Sequence, residues 1–415
     1  MNKFTLKNIF DINLLVSLGL LLGTVTQFKL FGPVGVSELL FLMIFGFFLI
    51  RIISKLSNQN AQYEIPENSS GLILMFLLFF LFLGSFATVL NGIPSHNIDG
   101  KFYEVSTSIH NLIAFVYLTF ILLIVTFDSE IEIRKVVLVF ILGFSMLTLI
   151  FLVILLFTNE FVGLELMYKW TSRVQLFTRS PNHLADFLAP VPFLLTYFYK
   201  INRIKFKSWI IFVTGVIFAG FLTGSNSLIL AWLISISFIA IFLFYKSYKV
   251  KVLITTSSLL LVLLAFFYVD LISFFLSSFF TTEKIKSINN LLALDFNIRS
   301  NLFLNSFNAV NQSPIIGNGF GASTGILDAN LGREAHNHFG DVVLFSGYLG
   351  LIAYTLTIFF VLFKTVQANS LWLTLGLITI LITTLFHTQL RQPLFWIYLI
   401  FILNESIMRL KIEHK

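Results

Sequence analysis

Twelve stretches of roughly twenty residues, each almost free of charge, recur along this chain and decide what it can fold into. They lie at about 12–27, 36–50, 71–90, 106–127, 136–158, 183–199, 208–223, 226–245, 252–269, 340–363, 369–386 and 393–408. About 20 mostly apolar residues in helical form cross the hydrocarbon of a bilayer. Lipid offers no partner for backbone N–H and C=O groups, so a continuous run must satisfy them internally as a helix. Strands of a membrane barrel alternate polar and apolar residues, which these runs do not. The composition removes the other options: 57% of the 415 residues are hydrophobic, 11% are charged, and 51 are phenylalanine. Soluble domains carry about a quarter charged residues and hide their large apolar patches. A soluble enzyme, a disordered chain and a single-anchor protein with an aqueous domain are excluded. The expectation is an all-α polytopic integral membrane protein, a single membrane domain over residues 1–415 with about 12 transmembrane helices.

The segment Ser208–Tyr245 has no charged residue and is too long for one crossing. Thr223-Gly224-Ser225-Asn226-Ser227 at its middle favours a turn, which predicts a helical hairpin there. Lys3 and Lys7 precede the first run, which reads as a first membrane anchor rather than a cleaved leader. No internal repeat is visible.

Charge then sets the topology. The net charge is +7, and there is no cysteine, so disulfides, thiolate nucleophiles and cysteine metal sites are excluded. Cytoplasmic loops collect Lys and Arg. With both termini inside, most of the 27 basic residues fall inside, including the clusters Lys200–Lys207 and Lys246–Lys251. Ten remain outside: Lys29, Lys101, Lys169, Arg173, Arg179, Lys284, Lys286, Arg299, Arg333 and Arg391. Seven of those ten sit in two external loops, 158–182 and 270–335. The second is long enough to escape the charge rule and to fold as a unit containing short helices. Within it, Phe274–Phe280 suits an interfacial segment, and Asn297–Val310 an amphipathic surface helix with Phe296, Phe303, Phe307 and Val310 on one face. Acidic residues nearly balance the basic ones in both loops, so nucleic acid is not an expected partner.

Four outward segments carry candidate chemistry. In the first, Arg173 and Arg179 stand before a helix that Pro181-Asn182 can start, an arrangement suited to an anion such as phosphate. Interfacial arginines that touch lipid headgroups are the plainer alternative. The second joins Asn297-Ile298-Arg299 to Ser313-Pro314-Ile315-Ile316-Gly317-Asn318-Gly319-Phe320-Gly321, where glycines permit tight turns and close ligand approach. An arginine on an apolar face also snorkels without any catalytic role. The third is Glu334-Ala335-His336-Asn337-His338-Phe339, whose histidines can take a proton near neutral pH or serve as interfacial hydrogen-bonding groups. No carboxylate cluster lies nearby to complete a metal site with them, and no metal or other cofactor is expected. The fourth is the hairpin tip at Thr223–Ser227. Asp128, Glu130 and Glu132 lie on the opposite side and read as a solvated loop.

Together these segments resemble the O-antigen polymerase and O-antigen ligase superfamily of bacterial envelope glycosyltransferases. "RSPNHLADFLAP" is similar to its Asn-Pro-Asn-type segment, and "FLTGSNSLILAW" to its Thr-Gly-Ser-Arg-Ser hairpin tip. "IRSNLFLNSFNAVNQSPIIGNGFG" resembles its arginine helix and Pro-x-x-Gly-x-Gly stretch, and "AHNHFGDVVLFSGYLGLIAY" its His-Asn signature before Gly-x-x-Gly. The resemblance covers about residues 165–365. It implies metal-independent transfer from an undecaprenyl-pyrophosphate-linked glycan on the periplasmic face of the bacterial inner membrane. By position it implies that Arg299 holds the pyrophosphate and His336 acts as the base, with Arg173, Arg179, Asn182, Asn337 and His338 in substrate binding. The sequence departs from the pattern at Asn226, where the family often has arginine, and Arg173 or Arg179 would have to supply that contact. The departure favours the polymerase branch over the ligase branch, which transfers the glycan to lipid A-core. A chain-length regulator is a further implied partner. A lipid-linked oligosaccharide flippase is the reading from a different class; it expects charge buried in mid-helix, which this chain nearly lacks.

Overall fold

A computed structural model of the chain describes residues 11–27, 35–57, 70–91, 97–98, 101–102, 104–169, 171, 173–267, 302–320, 335 and 337–413. Its named helices, in chain order, are α1 (Ile12–Thr24), α2 (Val36–Ser57), α3 (Ser70–Asn91), α4 (Glu104–Phe127), α5 (Ile133–Leu155), α6 (Pro181–Leu188), α7 (Val191–Lys200), α8 (Phe206–Leu222), α9 (Asn226–Phe244), α10 (Tyr248–Phe267), α11 (His338–Gln367), α12 (Leu371–Phe386) and α13 (Pro393–Glu413). Residues 302–310 form one more short helix. Among the described residues, the named strands form two small antiparallel hairpins, Asn97–Ile98 with Lys101–Phe102 and Glu160–Phe161 with Leu164–Glu165. Among the described residues, seven helices are long and apolar enough to cross a membrane, and three shorter apolar ones accompany them. The chain is a polytopic membrane protein.

The apolar runs became helices, two of them interrupted: the run at 340–363 is kinked at Gly347, and the run at 183–199 is broken in two. The latter yields α6 and α7, because Pro190 and Pro192 cannot donate backbone hydrogen bonds there. The Ala189 carbonyl in the break accepts the Trp232 indole N–H at 2.9 Å. The turn expected inside Ser208–Tyr245 is present: α8 ends at Leu222, Gly224 takes φ +58°, and α9 begins at Asn226.

Helix α13 lies at the centre and is the most buried span, with Trp396, Ile397 and Leu399–Leu403 fully covered. It packs against α3, α5, α11 and α12. Outward faces show Phe82, Leu233, Leu253 and Ile352, the apolar contact that lipid requires.

Successive helices alternate between two ends. One end is basic and tied by polar contacts. There Arg51 pairs with Asp128 and Glu130, and Arg134 grips the fully buried Glu405 through two hydrogen bonds of 2.7 Å. Tyr197 also donates to Glu405, and Lys135 pairs with Asp11. The solvated loop expected here holds for Glu130, which is exposed, but not for Asp128, which is buried against Arg51. At the other end, Gln27 ties α1 to the loop 158–182: its amide donates to the Glu165 and Thr178 carbonyls at 2.8 Å, and its oxygen accepts from Glu165 N–H at 2.9 Å. In the same loop Lys169 pairs with Glu165 at 2.6 Å, and that hydrogen bond holds the lysine pKa above its ordinary value.

The amphipathic helix expected at 297–310 is described from residue 302. Leu302, Phe303, Ala309 and Val310 are buried against the bundle, beside Trp232 and Phe386 in the case of Phe303, so this is a packed helix rather than a surface one. The glycine stretch that follows also packs inward. Gly317 at φ +79° lies so close to α11 that an added Cβ would meet the Gly347 nitrogen at 2.4 Å. Gly347 itself breaks the helical geometry of α11 at φ +65°. Asn318 N–H donates to the Leu344 carbonyl at 2.7 Å and Tyr348 N–H to that of Pro314 at 2.8 Å. Close approach, expected for a ligand, is here the docking of one backbone on another. Phe274–Phe280 and residues 297–301 lie outside the described residues.

Candidate functional site

The non-basic end of the bundle collects polar side chains from four separate stretches of sequence. Helix α6 organises them. Ser180 caps it, its hydroxyl accepting from His183 N–H at 3.2 Å, and Pro181 occupies its first position. Arg173 reaches across from the preceding loop. Its Nε donates to the Thr223 carbonyl at 2.6 Å, and a terminal nitrogen donates to Asn182 Oδ1 at 2.8 Å. The first and fourth candidate segments thus form one site, with a half-buried guanidinium seated on the hairpin tip. Gly224, at φ +58° in the tip, lies directly against it: a Cβ there would be in ordinary contact with Arg173 Nε at 3.4 Å.

One turn further along α6, Asp186 accepts from His387 Nδ1 at 2.7 Å. His387 follows the last residue of α12, in the short connection to α13. Both side chains are nearly buried, at 5% and 11% exposure. His183, three residues before Asp186, has its Nδ1 buried with no hydrogen-bond partner among the described residues. Arg391, in the same connection as His387, donates to Asn111 Oδ1 on α4 at 2.5 Å. Arg179 is exposed, and its backbone N–H donates to Thr26 Oγ1 at 2.7 Å. Among the described residues no three His, Asp or Glu side chains converge as a metal-binding group.

Beside this cluster lies a cavity of about 510 Å³ between α1, α2, α4 and the start of α13. Its wall is mostly apolar, with Phe41, Leu42, Ile113, Phe120 and Leu394, while Arg391, Glu38 and His110 supply charged or titratable groups. Phe187, the neighbour of Asp186, and Thr26, the partner of Arg179, also line it. A polar cluster and an apolar chamber therefore share Phe187 and Arg391.

The remaining candidates divide. Asn337 caps α11, its Oδ1 accepting from Gly340 N–H at 2.6 Å. His338 is fully buried and both ring nitrogens are engaged. Its Nε2 accepts from Gln389 N–H at 2.6 Å, which leaves Nδ1 to carry the proton toward the Tyr354 hydroxyl at 2.9 Å. Neither side chain is presented to a ligand in this arrangement. Arg299 and His336 lie outside the described residues. His183 and Asp186 fall within the first candidate segment but were given no role from sequence, and His387 was not singled out. Asp186 is embedded in an apolar stretch and its partner is 201 positions away; the one available signal was His387-Thr388-Gln389-Leu390-Arg391, polar groups gathered in a short turn between two long apolar runs. Compared with known proteins, the chain matches no family model and no curated sequence.

Proposed function

We propose that this protein is a glycosyltransferase that polymerises polyprenyl-pyrophosphate-linked oligosaccharide units at the outer face of a bacterial inner membrane. It would cross that membrane about twelve times, with both termini in the cytoplasm and the α6 end of the bundle outside. The observation that carries the reading is the place of Arg173. The resemblance puts a cation on the hairpin tip, where this sequence has Asn226; Arg173 reaches that tip from a loop fifty residues earlier and is held there by the Thr223 carbonyl and Asn182. The neighbouring apolar chamber suits the lipid part of such a donor.

The chemistry follows. An acceptor hydroxyl attacks the anomeric carbon of the donor sugar, and the bond from that carbon to the pyrophosphate oxygen breaks. The electron pair leaves with the pyrophosphate, whose charge grows in the transition state. A fixed guanidinium in a partly dry site stabilises that charge before and during the step. No nucleotide is required, because the cleaved glycosyl–pyrophosphate bond supplies the energy. The resemblance places Arg299 beside the same group.

The test is transfer by the purified protein in liposomes, using lipid-linked saccharides extracted from the producing cells. Wild-type protein should lengthen the glycan. Arg173→Lys keeps the charge but cannot bridge the tip and Asn182 together, and should reduce transfer by about tenfold or more. Unchanged chain length from Arg173→Ala, with the protein present at wild-type abundance, sinks the reading. Loss of the gene should leave cells with a single surface repeat unit; loss of all attached repeats would favour the ligase reading instead.

A further inference from the structure

We infer that His387, with its Nδ1 held by Asp186, is the general base that receives the proton of the acceptor hydroxyl. This assignment rests on the glycosyltransferase reading above and goes beyond the resemblance, which gives the base to His336. Three observations point to it. The first is the geometry of the pair. A carboxylate accepting from Nδ1 fixes the imidazole tautomer and leaves Nε2 with a lone pair, the orientation a base requires. Nε2 of His387 has no hydrogen-bond partner among the described residues.

The second is spacing. Asn182, which binds Arg173, and Asp186, which binds His387, are four residues apart on α6 and so lie on one face, separated by about 6 Å along the helix. One helix thus sets an anion-holding guanidinium and a proton acceptor a single turn apart. That is the order of the distance between a pyrophosphate and a hydroxyl approaching the sugar carbon attached to it.

The third is an unmet need. Buried polar atoms without partners are uncommon in folded proteins, and each asks for an explanation. His183 Nδ1 is one, on the same helix face region as Asp186. A pair that only stapled α6 to the α12–α13 connection would need neither a second histidine nor Arg391 beside it.

The step balances with these groups. The acceptor oxygen forms its bond to the anomeric carbon, the carbon–pyrophosphate oxygen bond breaks, and the hydroxyl proton passes to His387 Nε2. The imidazolium is stabilised by Asp186 and later releases its proton to water. His387 is the catalytic residue and Asp186 the positioning residue.

The liposome assay with the same extracted donor tests this directly. His387→Gln and His387→Ala should lower kcat by about 100-fold or more with KM within about threefold of wild type. Added imidazole should restore part of the activity of His387→Ala, which a structural staple would not allow; that rescue also shows the variant is folded. Asp186→Asn should lower kcat and leave KM alone. Transfer by His387→Gln within about threefold of wild type overturns the inference, as does failure of imidazole to rescue His387→Ala when His336→Gln abolishes kcat. If the wild-type protein transfers nothing from this donor, the glycosyltransferase reading falls and this role falls with it.

Discussion

At the scale of single residues, His338 in the stretch Ala335–His338 shows why a polar motif need not present its side chains to a ligand. The stretch reads as one polar cluster, but His338 begins a helix and turns its ring into the core, against Phe395 and Tyr354. Its Nε2 accepts the Gln389 N–H and so fixes the connection that carries His387 and Arg391. His338→Ala should therefore destabilise the protein, because it leaves the Gln389 N–H buried without a partner and takes from the Tyr354 hydroxyl one of its two partners, the other being Thr384. An unpaired buried group costs about 1–3 kcal/mol, so a loss of that order is expected, read as a lowered midpoint of thermal unfolding in detergent. A midpoint unchanged from wild type would mean the ring is not part of the core. The Asp186–His387 pair could not be read from sequence for a complementary reason. Asp186 lies in the segment RSPNHLADFLAP, but His387 lies outside every segment that carries the resemblance, and only the fold closes the 201 positions between them.

At the scale of elements, hydrophobic runs located the helices because lipid leaves the backbone no other way to satisfy its hydrogen bonds. What the runs did not reveal was where a helix breaks. Pro190 and Pro192 split one run and leave α6 as a short, capped segment whose polar face can point into a site. Gly347 breaks α11 for a different reason: it receives the glycine loop 313–319. The spacing of Gly317, Gly319 and Gly347 was visible, but glycine alone does not say whether a ligand or another backbone approaches. The structure answers for Gly347, where an added Cβ would meet the Ile315 carbonyl oxygen at 2.4 Å at a positive φ. Gly347→Ala should destabilise by about 2 kcal/mol or more through the strained φ together with the backbone clash. Gly163→Ala is the control, since its φ is also positive but the space around it is open. It should cost about 1 kcal/mol, and equal shifts in unfolding midpoint for the two variants would show that loop docking contributes nothing.

At the scale of the whole molecule, the sorting of charge and the packing agree on which helix ends lie together. Arg51 meets Asp128, Arg134 meets Glu405, Arg409 lies over Tyr197, and Lys251 bonds Asn369, all at one end. Arg173, Arg179, Asp186, His387 and Arg391 gather at the other. Sequence could divide the residues between two ends because each apolar run reverses the chain once; the small offsets that bring side chains within hydrogen-bond distance come from packing, which no run length encodes. The remaining question is which end faces the cytoplasm, and the positive-inside rule gives the answer to be tested. The chain has no cysteine, so a single introduced thiol reports without background. Thr171 is exposed at the Arg173 end, and Ser247 is exposed between α9 and α10 at the basic end. A membrane-impermeant maleimide added to intact cells, with the outer envelope made permeable, should label Thr171→Cys and leave Ser247→Cys unlabelled until the inner membrane is opened. The reverse pattern would place Arg173 and His387 in the cytoplasm, where a lipid-linked glycan already carried across the membrane could not meet them, and the proposed reaction would have to be abandoned.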